Sequence, residues 1–325
     1  MINRREFVAL GALSTLAAAG VSRALAQAWP NRPVRLVVPY APGGTTDGTA
    51  RILADRLSRT WGQQVVIENK PGQGTNIGAE TVARADPDGY TMLVAASSMA
   101  ANKNLYRALK YDLVTDLAPV SRLVTFPLVF FVPSSSPVKS ITDLIAYAKE
   151  RNGSATFGTP AYGGLNHLTG ELFSRMAGIK MTHVPYRGDA LAMTDLIAGR
   201  LDLQIAGTVQ LEQARAGQVR ALAVTTAERI AAATDLPTIA EFGLAGFNVQ
   251  TWFALMVPAK VPAEIVKRMN TDTVLALGDP TVKAKLEGIG VVVAPSTPEQ
   301  LASFIKAEIG KWETVIRETG IRIES

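Results

Sequence analysis

The chain has 325 residues, 47% hydrophobic and 19% charged, so it can bury a large core and is not a disordered chain. It contains no cysteine, which excludes disulfides, thiol catalysis and thiolate metal sites. Its formal net charge of +5 falls to +3 without residues 1–26, which hold three arginines and one glutamate. So weak and scattered a charge does not point to nucleic acid or to a membrane surface as a partner.

Residues 1–26 have the pattern of an export signal. Two adjacent arginines, Arg4 and Arg5, precede a mildly apolar run that is too short to span a bilayer. The sequence Ala-Leu-Ala at 24–26 fits a cleavage site, and residues 3–7, NRREF, resemble a twin-arginine signal; a general secretory signal is the alternative. We therefore predict a periplasmic protein, cleaved after Ala26.

Residues 34–57, VRLVVPYAPGGTTDGTARILADRL, predict a strand, a glycine loop and a helix in succession. The strand is predicted at Val34–Tyr40 and the loop at Ala41–Gly44, with Thr46 or Asp47 as the N-cap of the helix. Such a unit directs backbone N–H groups and a positive helix end at whatever lies above the loop, which suits an anion. The alternative is an ordinary turn that binds nothing.

The same pattern recurs along the chain. Further strands are predicted at Gln64–Glu68, at Tyr90–Ala95, before the loop Gly158–Gly164 and at His183–Tyr186. This alternation is typical of an α/β fold with a parallel-rich sheet, whose ligands bind at the carboxyl ends of the strands. The predicted ligand-binding residues at that edge are Tyr40, Gly43, Gly44, Thr45, Thr46, Asp47, Ser97, Ser98, Thr159, Tyr162, Gly163, Gly164, His167, Tyr186, Arg187, Gly188 and Asp189.

Two long extended runs, Ser121–Pro133 and Phe247–Pro258, are predicted to cross between two lobes. The first lobe would comprise residues 27–126 and 252–325, and the second lobe residues 127–251. Two such crossings are typical of lobes joined by a hinge, and the lobes have the usual size of domains.

Catalytic and metal chemistry fit the sequence poorly. The chain has two histidines: His167 is predicted to cap or pack at a helix start, and His183 to make a structural hydrogen bond. Without cysteine or clustered carboxylates, neither a metal site nor a cofactor is predicted. A Ser–His–Asp triad could be drawn from Ser97 or Ser98, His167 and Asp189, but only geometry identifies a triad, and the spacing does not support one.

Seven stretches occur in an order that resembles one family. They are PYAPGGTTD, ENKPGQGTNIGAETVARADPDGYT, HLTGELF, HVPYRG, LAVTTAERI, LPTIAEFGLAGF and WFALMVPA. They are similar to the tripartite tricarboxylate transporter receptors, the TctC-like or Bug solute receptors, over nearly the whole mature chain. The resemblance implies a type II periplasmic-binding-protein fold, in which two α/β lobes close over a small ligand. The ligands are typically carboxylates, held by backbone amides and ordered waters.

The resemblance assigns Ala41–Asp47 to the family's first glycine loop and Gly158–His167 to its second-lobe loop. The second loop departs from the family pattern G-S-x-G-x-G-S, because Thr159, Ala161 and Gly164 replace Ser, Gly and Ser. Tyr162 adds a ring that could restrict or stack on the ligand; the alternative is a surface tyrosine. These departures bear on the identity of the ligand and not on its class.

We therefore expect a monomeric, non-enzymatic receptor that captures a small organic mono- or dicarboxylate for a membrane permease of the TctA/TctB type. Arg187 is the single cation of the predicted binding wall. A sensor subunit that reports its ligand to a signalling protein and a periplasmic hydrolase are the alternatives. Neither nucleic acid nor a cofactor is expected as a partner.

Overall fold

The computed structural model describes residues 29–186, 188–231 and 233–323, which fold into mixed α/β structure. Its strands are β1 (Val34–Val38), β2 (Val65–Asn69), β3 (Thr91–Ala96), β4 (Leu117–Pro133), β5 (Thr156–Thr159), β6 (Thr182–Pro185), β7 (Leu203–Gly207), β8 (Val219–Val224), β9 (Gln250–Pro258) and β10 (Val292–Val293). Its helices are α1 (Thr45–Trp61), α2 (Asn76–Ala83), α3 (Ser98–Leu105), α4 (Ile141–Arg151), α5 (Leu165–Ala177), α6 (Asp189–Ile197), α7 (Leu211–Arg215), α8 (Ala263–Gly278), α9 (Pro280–Gly288) and α10 (Pro298–Thr319). Short 3-10 helices lie at Gln73–Thr75, Thr208–Gln210 and Ile239–Phe242.

One strand order occurs twice, once in each lobe. The first lobe has the order β2-β1-β3-β9-β4, with β1 parallel to β2 and β3, and β9 antiparallel to its neighbours. The second lobe has the order β6-β5-β7-β4-β8, with β5 parallel to β6 and β7, and β4 antiparallel to its neighbours. The α/β fold predicted from the alternation of strands and helices is therefore confirmed. Strands β1 and β5 hold equivalent positions, so the loops after them are equivalent too.

Strand β4 crosses from one lobe to the other. It pairs with β9 as far as Pro127, and with β7 and β8 from Leu128 and Val129 onward. The chain returns at Val249, whose N–H donates to the carbonyl of Thr225 at 2.8 Å. The Thr225 hydroxyl is fully buried; it accepts from the Leu128 N–H at 2.9 Å and lies 2.8 Å from the Val249 carbonyl, to which it can donate. One side chain thus ties both crossings together.

The core is continuous on one face of the sheets and divided on the other. Alternate residues of β4 point to opposite faces, as the pleat requires. Phe130 belongs to an apolar cluster that runs through both lobes and includes Val37 and Phe157. Val129, on the other face, belongs to a cluster confined to the second lobe, whereas Leu36 belongs to one confined to the first lobe. On the divided face, therefore, no buried apolar cluster joins the two lobes among the described residues.

The long helix α10 packs across the continuous face. Its Leu301, Ile305 and Trp312 are buried, and a capping box between Thr297 and Gln300 begins the helix. None of the helices in the described residues has both the length and the apolar character needed to cross a bilayer.

Candidate functional site

The first glycine loop connects β1 to α1. Helix α1 begins at Thr45 with Gly44 as its N-cap, so the predicted N-cap at Thr46 or Asp47 is wrong. The reason lies in Gly43, whose φ of +91° favours glycine and turns the chain back over the helix start. Asp47 is therefore the third residue of the helix, and its Oδ2 accepts a hydrogen bond from the Gly43 N–H at 3.0 Å.

The first turn of α1 leaves backbone donors for a ligand. The first intrahelical hydrogen bond runs from the Gly48 N–H to the Gly44 carbonyl at 2.9 Å. The N–H groups of Thr45, Thr46 and Asp47 precede it and have no acceptor within the helix. Together with the positive end of the helix dipole, they make a site suited to an anion.

The Asp47 carboxylate holds the loop in shape. The residue is only 3% exposed. Its Oδ2 accepts from Arg51 Nε at 2.8 Å, and its Oδ1 from Asn69 Nδ2 at 2.9 Å. The hydrogen bond from Arg51 is the largest cause that lowers the pKa of Asp47 to about 2, and the Gly43 N–H adds to it. The side chain is thus ionised and held by internal partners, so it positions the loop, and the Arg51 guanidinium offsets its negative charge.

The second glycine loop repeats this arrangement between β5 and α5. Gly164 is the N-cap of α5, Gly163 has a φ of +71°, and His167 is the third residue of the helix. The Nδ1 of His167 accepts a hydrogen bond from the Gly163 N–H at 3.0 Å, as the Asp47 carboxylate does in the first loop. His167 is buried, so the predicted capping or packing role is confirmed.

Two stacked imidazoles support the second loop. The rings of His167 and His183 lie 3.6 Å apart between centroids, with planes 12° apart. The Nε2 of His183 lies 2.7 Å from the buried Thr159 hydroxyl, which confirms the predicted structural hydrogen bond. Burial, followed by repulsion from His167, lowers the pKa of His183 to about 3. Tyr162 is half exposed, and its ring centroid lies 4.9 Å from that of His167.

Tyr40 and Ser98 meet at the carboxyl ends of β1 and β3. The Tyr40 hydroxyl lies 3.4 Å from Ser98 Oγ, which lies 3.4 Å from the hydroxyl of Thr75. The sequence did not point to Thr75, whose φ of +85° is rare for a β-branched residue. Ser97 is buried and donates its N–H to the Trp252 carbonyl of β9, so it continues the pairing of β3 with β9 at the carboxyl end of β3.

The loop before α6 is held by the second lobe itself. The Tyr186 hydroxyl donates to Asp195 at 2.8 Å, and the Gly188 N–H donates to the Pro160 carbonyl at 3.2 Å. Burial raises the pKa of Asp189 to about 6, and its Oδ1 is buried without a hydrogen-bond partner among the described residues. Arg187, predicted as the cation of the site, lies outside the described residues.

Among the described residues, the contacts of His167 and Ser98 are not those of a nucleophilic site. Nδ1 of His167 is occupied by the Gly163 N–H, and its Nε2 lies 3.5 Å from Glu171. Ser98 instead approaches other hydroxyl groups, as described above. Nowhere in residues 29–186, 188–231 and 233–323 do three or more histidine or acidic side chains cluster as a metal site would require.

A cavity of about 950 Å³ lies between the lobes on the divided face. From the first lobe it is lined by the first glycine loop and by the segment between α9 and β10. From the second lobe it is lined by the turn after β7, by α7 and by residues 230–231. Of these lining segments, only the first glycine loop was predicted from the sequence as part of the ligand site. The lining residues are Gly43, Gly44, Thr45, Gly48, Pro127, Thr208, Val209, Leu211, Glu212, Arg215, Ile230, Ala231, Glu287, Gly288, Ile289, Gly290, Val291 and Val292.

Two α/β lobes, two crossings and an anion-suited loop in the cleft between them define a solute-binding receptor. The family model described as "Tripartite tricarboxylate transporter family receptor" (TctC) matches residues 49–321. The chain belongs to this family, whose members are receptors and not enzymes.

Relatives agree with this assignment over their full lengths. Protein BugT of Bordetella pertussis is 35% identical over 313 residues, which cover 95% of this chain and 96% of BugT. The structure of R. palustris Rpa4515 with adipate is 40% identical, covers 90% of this chain and 99% of that chain, and has a TM-score of 0.79. The structure of MatC (Rpa3494) from Rhodopseudomonas palustris with bound malate is 31% identical in sequence. The match covers 89% of this chain and 100% of MatC, with a TM-score of 0.75. The predicted type II periplasmic-binding-protein fold is thereby confirmed.

Proposed function

We propose that this receptor captures a small organic mono- or dicarboxylate in the interlobe cleft. The observation that carries the proposal is the first turn of α1, which presents N–H groups and a positive helix end within a cavity shared by both lobes. A helix end contributes about 0.3–1 kcal/mol toward an anion at an exposed site and up to about 2 kcal/mol when partly buried. The adipate and malate bound by the two R. palustris relatives are both dicarboxylates, which supports the choice.

The proposed mechanism is closure of the lobes over the bound acid. Residues 27–126 and 252–325 would move as one lobe and residues 127–251 as the other, about the crossings that Thr225 ties together. Because one apolar cluster is continuous across both lobes, the motion would be a rotation about that face and would open and close the other. Closure would exclude water and strengthen the hydrogen bonds to the carboxylate.

The proposed setting is the periplasm, after cleavage behind Ala26, with delivery of the acid to a TctA/TctB-type permease. Family membership supports this setting. Peptide sequencing of the exported protein should find Gln27 at its start. Export that continues unchanged when Arg4 and Arg5 are both replaced by lysine would point to the general secretory route and away from the twin-arginine route.

Calorimetry on matched pairs, each an acid and its amide at neutral pH, tests the proposal. We expect the acid to bind about two- to thirtyfold more tightly, because only the acid carries the charge that the helix end favours. Equal affinity for both members, or preferential binding of an amine, would reject an anion-binding cleft.

A further inference from the structure

We propose that the ligand is a carboxylate with an extended apolar body, a chain of at least five carbons or an aromatic ring, and not a short polar diacid. This inference rests on the proposed function. The carboxylate would lie at the first glycine loop and the body in an apolar chamber, which we define as the side chains of Pro127, Val209, Leu211, Ile230, Ile289 and Val292.

The chamber begins directly beside the anion-suited loop. Gly43, Gly44 and Thr45 line the same cavity as the apolar side chains. Ile289 Cδ1 lies 3.4 Å from the point where a Cβ on Gly48 would stand, so Ile289 packs against the first turns of α1. An acid held at the helix start therefore has the hydrocarbon of Ile289 next to it.

Both lobes leave apolar side chains open to this space. Val209, from the second lobe, is 63% exposed, and Val292, from the first lobe, is 54% exposed. The lobes already touch here, since Thr208 Oγ1 donates to the Gly290 carbonyl at 3.3 Å. Exposed apolar residues gathered in a cleft mark a binding surface, and the body of a ligand would cover them.

The charged groups at the cavity edge are engaged by charges of their own lobe. Arg215 forms an ion pair with Glu212, and Glu287 lies 3.8 Å from Lys283. A second carboxylate that entered the apolar chamber would lose its hydration there, and burying a charge without a partner is costly. The volume of about 950 Å³ also stands at the upper end of the range of roughly 300–1,000 Å³ for small-molecule sites.

Calorimetry on butanoate, hexanoate, octanoate, benzoate and succinate tests the inference. Each added methylene should raise the affinity about fourfold until the chamber is full. Octanoate and benzoate should both bind more tightly than succinate. The variant Val209→Asn should weaken octanoate binding about fivefold while leaving butanoate nearly unchanged. Val66→Asn is the matched control, because Val66 is 52% exposed on β2 and outside the cavity.

The outcomes separate the two claims. Affinity that stays flat or falls from butanoate to octanoate, while acids still bind more tightly than their amides, would overturn this inference and leave the proposed function standing. Equal losses in Val209→Asn and Val66→Asn would overturn the assignment of the chamber. Acids that bind no better than their amides would reject the proposed function itself, and this inference with it.

Discussion

The stacked histidines predict a specific loss of stability in mild acid. His183 is held neutral in the folded protein, with a pKa of about 3, because it is buried beside a second imidazole. In the unfolded chain its pKa is about 6.5. Between these two values only the unfolded state takes up the proton. The free energy of unfolding therefore falls as the pH is lowered from 6.5 toward 3. Above pH 6.5 His183 is neutral in both states, so it makes no pH-dependent contribution to the free energy of unfolding.

The magnitude follows from the proton difference. One proton bound by the unfolded state alone costs about 1.4 kcal/mol per pH unit. Because His183 is not fully buried, solvent screening brings its folded-state pKa closer to 6.5 and narrows the pH range over which the full slope applies. Averaged between pH 6 and pH 4, we expect about 1 kcal/mol per unit. The variant His183→Gln has no such proton, so the difference in stability between wild type and variant should change by that amount as the pH falls.

Two measurements check this prediction on protein without a histidine tag. Urea unfolding of wild type and His183→Gln at pH 8, 6, 5 and 4 gives the stability difference, with pH 8 as the baseline. NMR titration of the imidazole carbons gives the pKa directly, since the chain has only two histidines and one variant assigns both signals. A His183 signal that titrates above pH 5, or a stability difference that does not depend on pH, would refute the reasoning.

Three further substitutions test other parts of the account by urea unfolding. Asp47→Asn should destabilise by about 1–2 kcal/mol at pH 7, because a carboxylate with a lowered pKa stabilises only when ionised; the loss should shrink as the pH falls from 4 to 2, and a constant loss would contradict it. Thr225→Val should cost about 1–3 kcal/mol by leaving the buried Leu128 N–H without the hydroxyl that it contacts, and Thr225→Ser should restore most of the stability. Glu308→Ala should cost about 2–4 kcal/mol, because the indoles of Trp252 and Trp312 both donate to this buried carboxylate; a loss under 1 kcal/mol would refute that role.

Local sequence patterns predicted the strand, the glycine loop and the helix at the first site well. The apolar run ends near Tyr40, and the spacing after Gly44 is helical, so these elements follow from short-range preferences. The N-cap was misplaced because Asp47 has the residue type of a cap but bonds backward to Gly43 from inside the helix. Residue type alone does not distinguish these positions, since both satisfy an N–H near the helix start.

The apolar wall of the cleft could not be predicted from the sequence. It combines the turn at Thr208 and Val209 with the segment from Glu287 to Val292, two short stretches about 80 residues apart that the fold brings together. Neither stretch has a motif or a periodic pattern. The sequence also does not reveal that Asp47 and His167 hold equivalent positions in the two glycine loops. The two side chains differ chemically, and only the repeated strand order shows their common position.

Mass spectrometry of the molecule released by denaturing natively purified protein tests the central claim most directly. We expect a stoichiometric organic acid with one or two carboxylates. A stoichiometric amine, sugar or nucleotide without a carboxylate would contradict an anion-binding cleft.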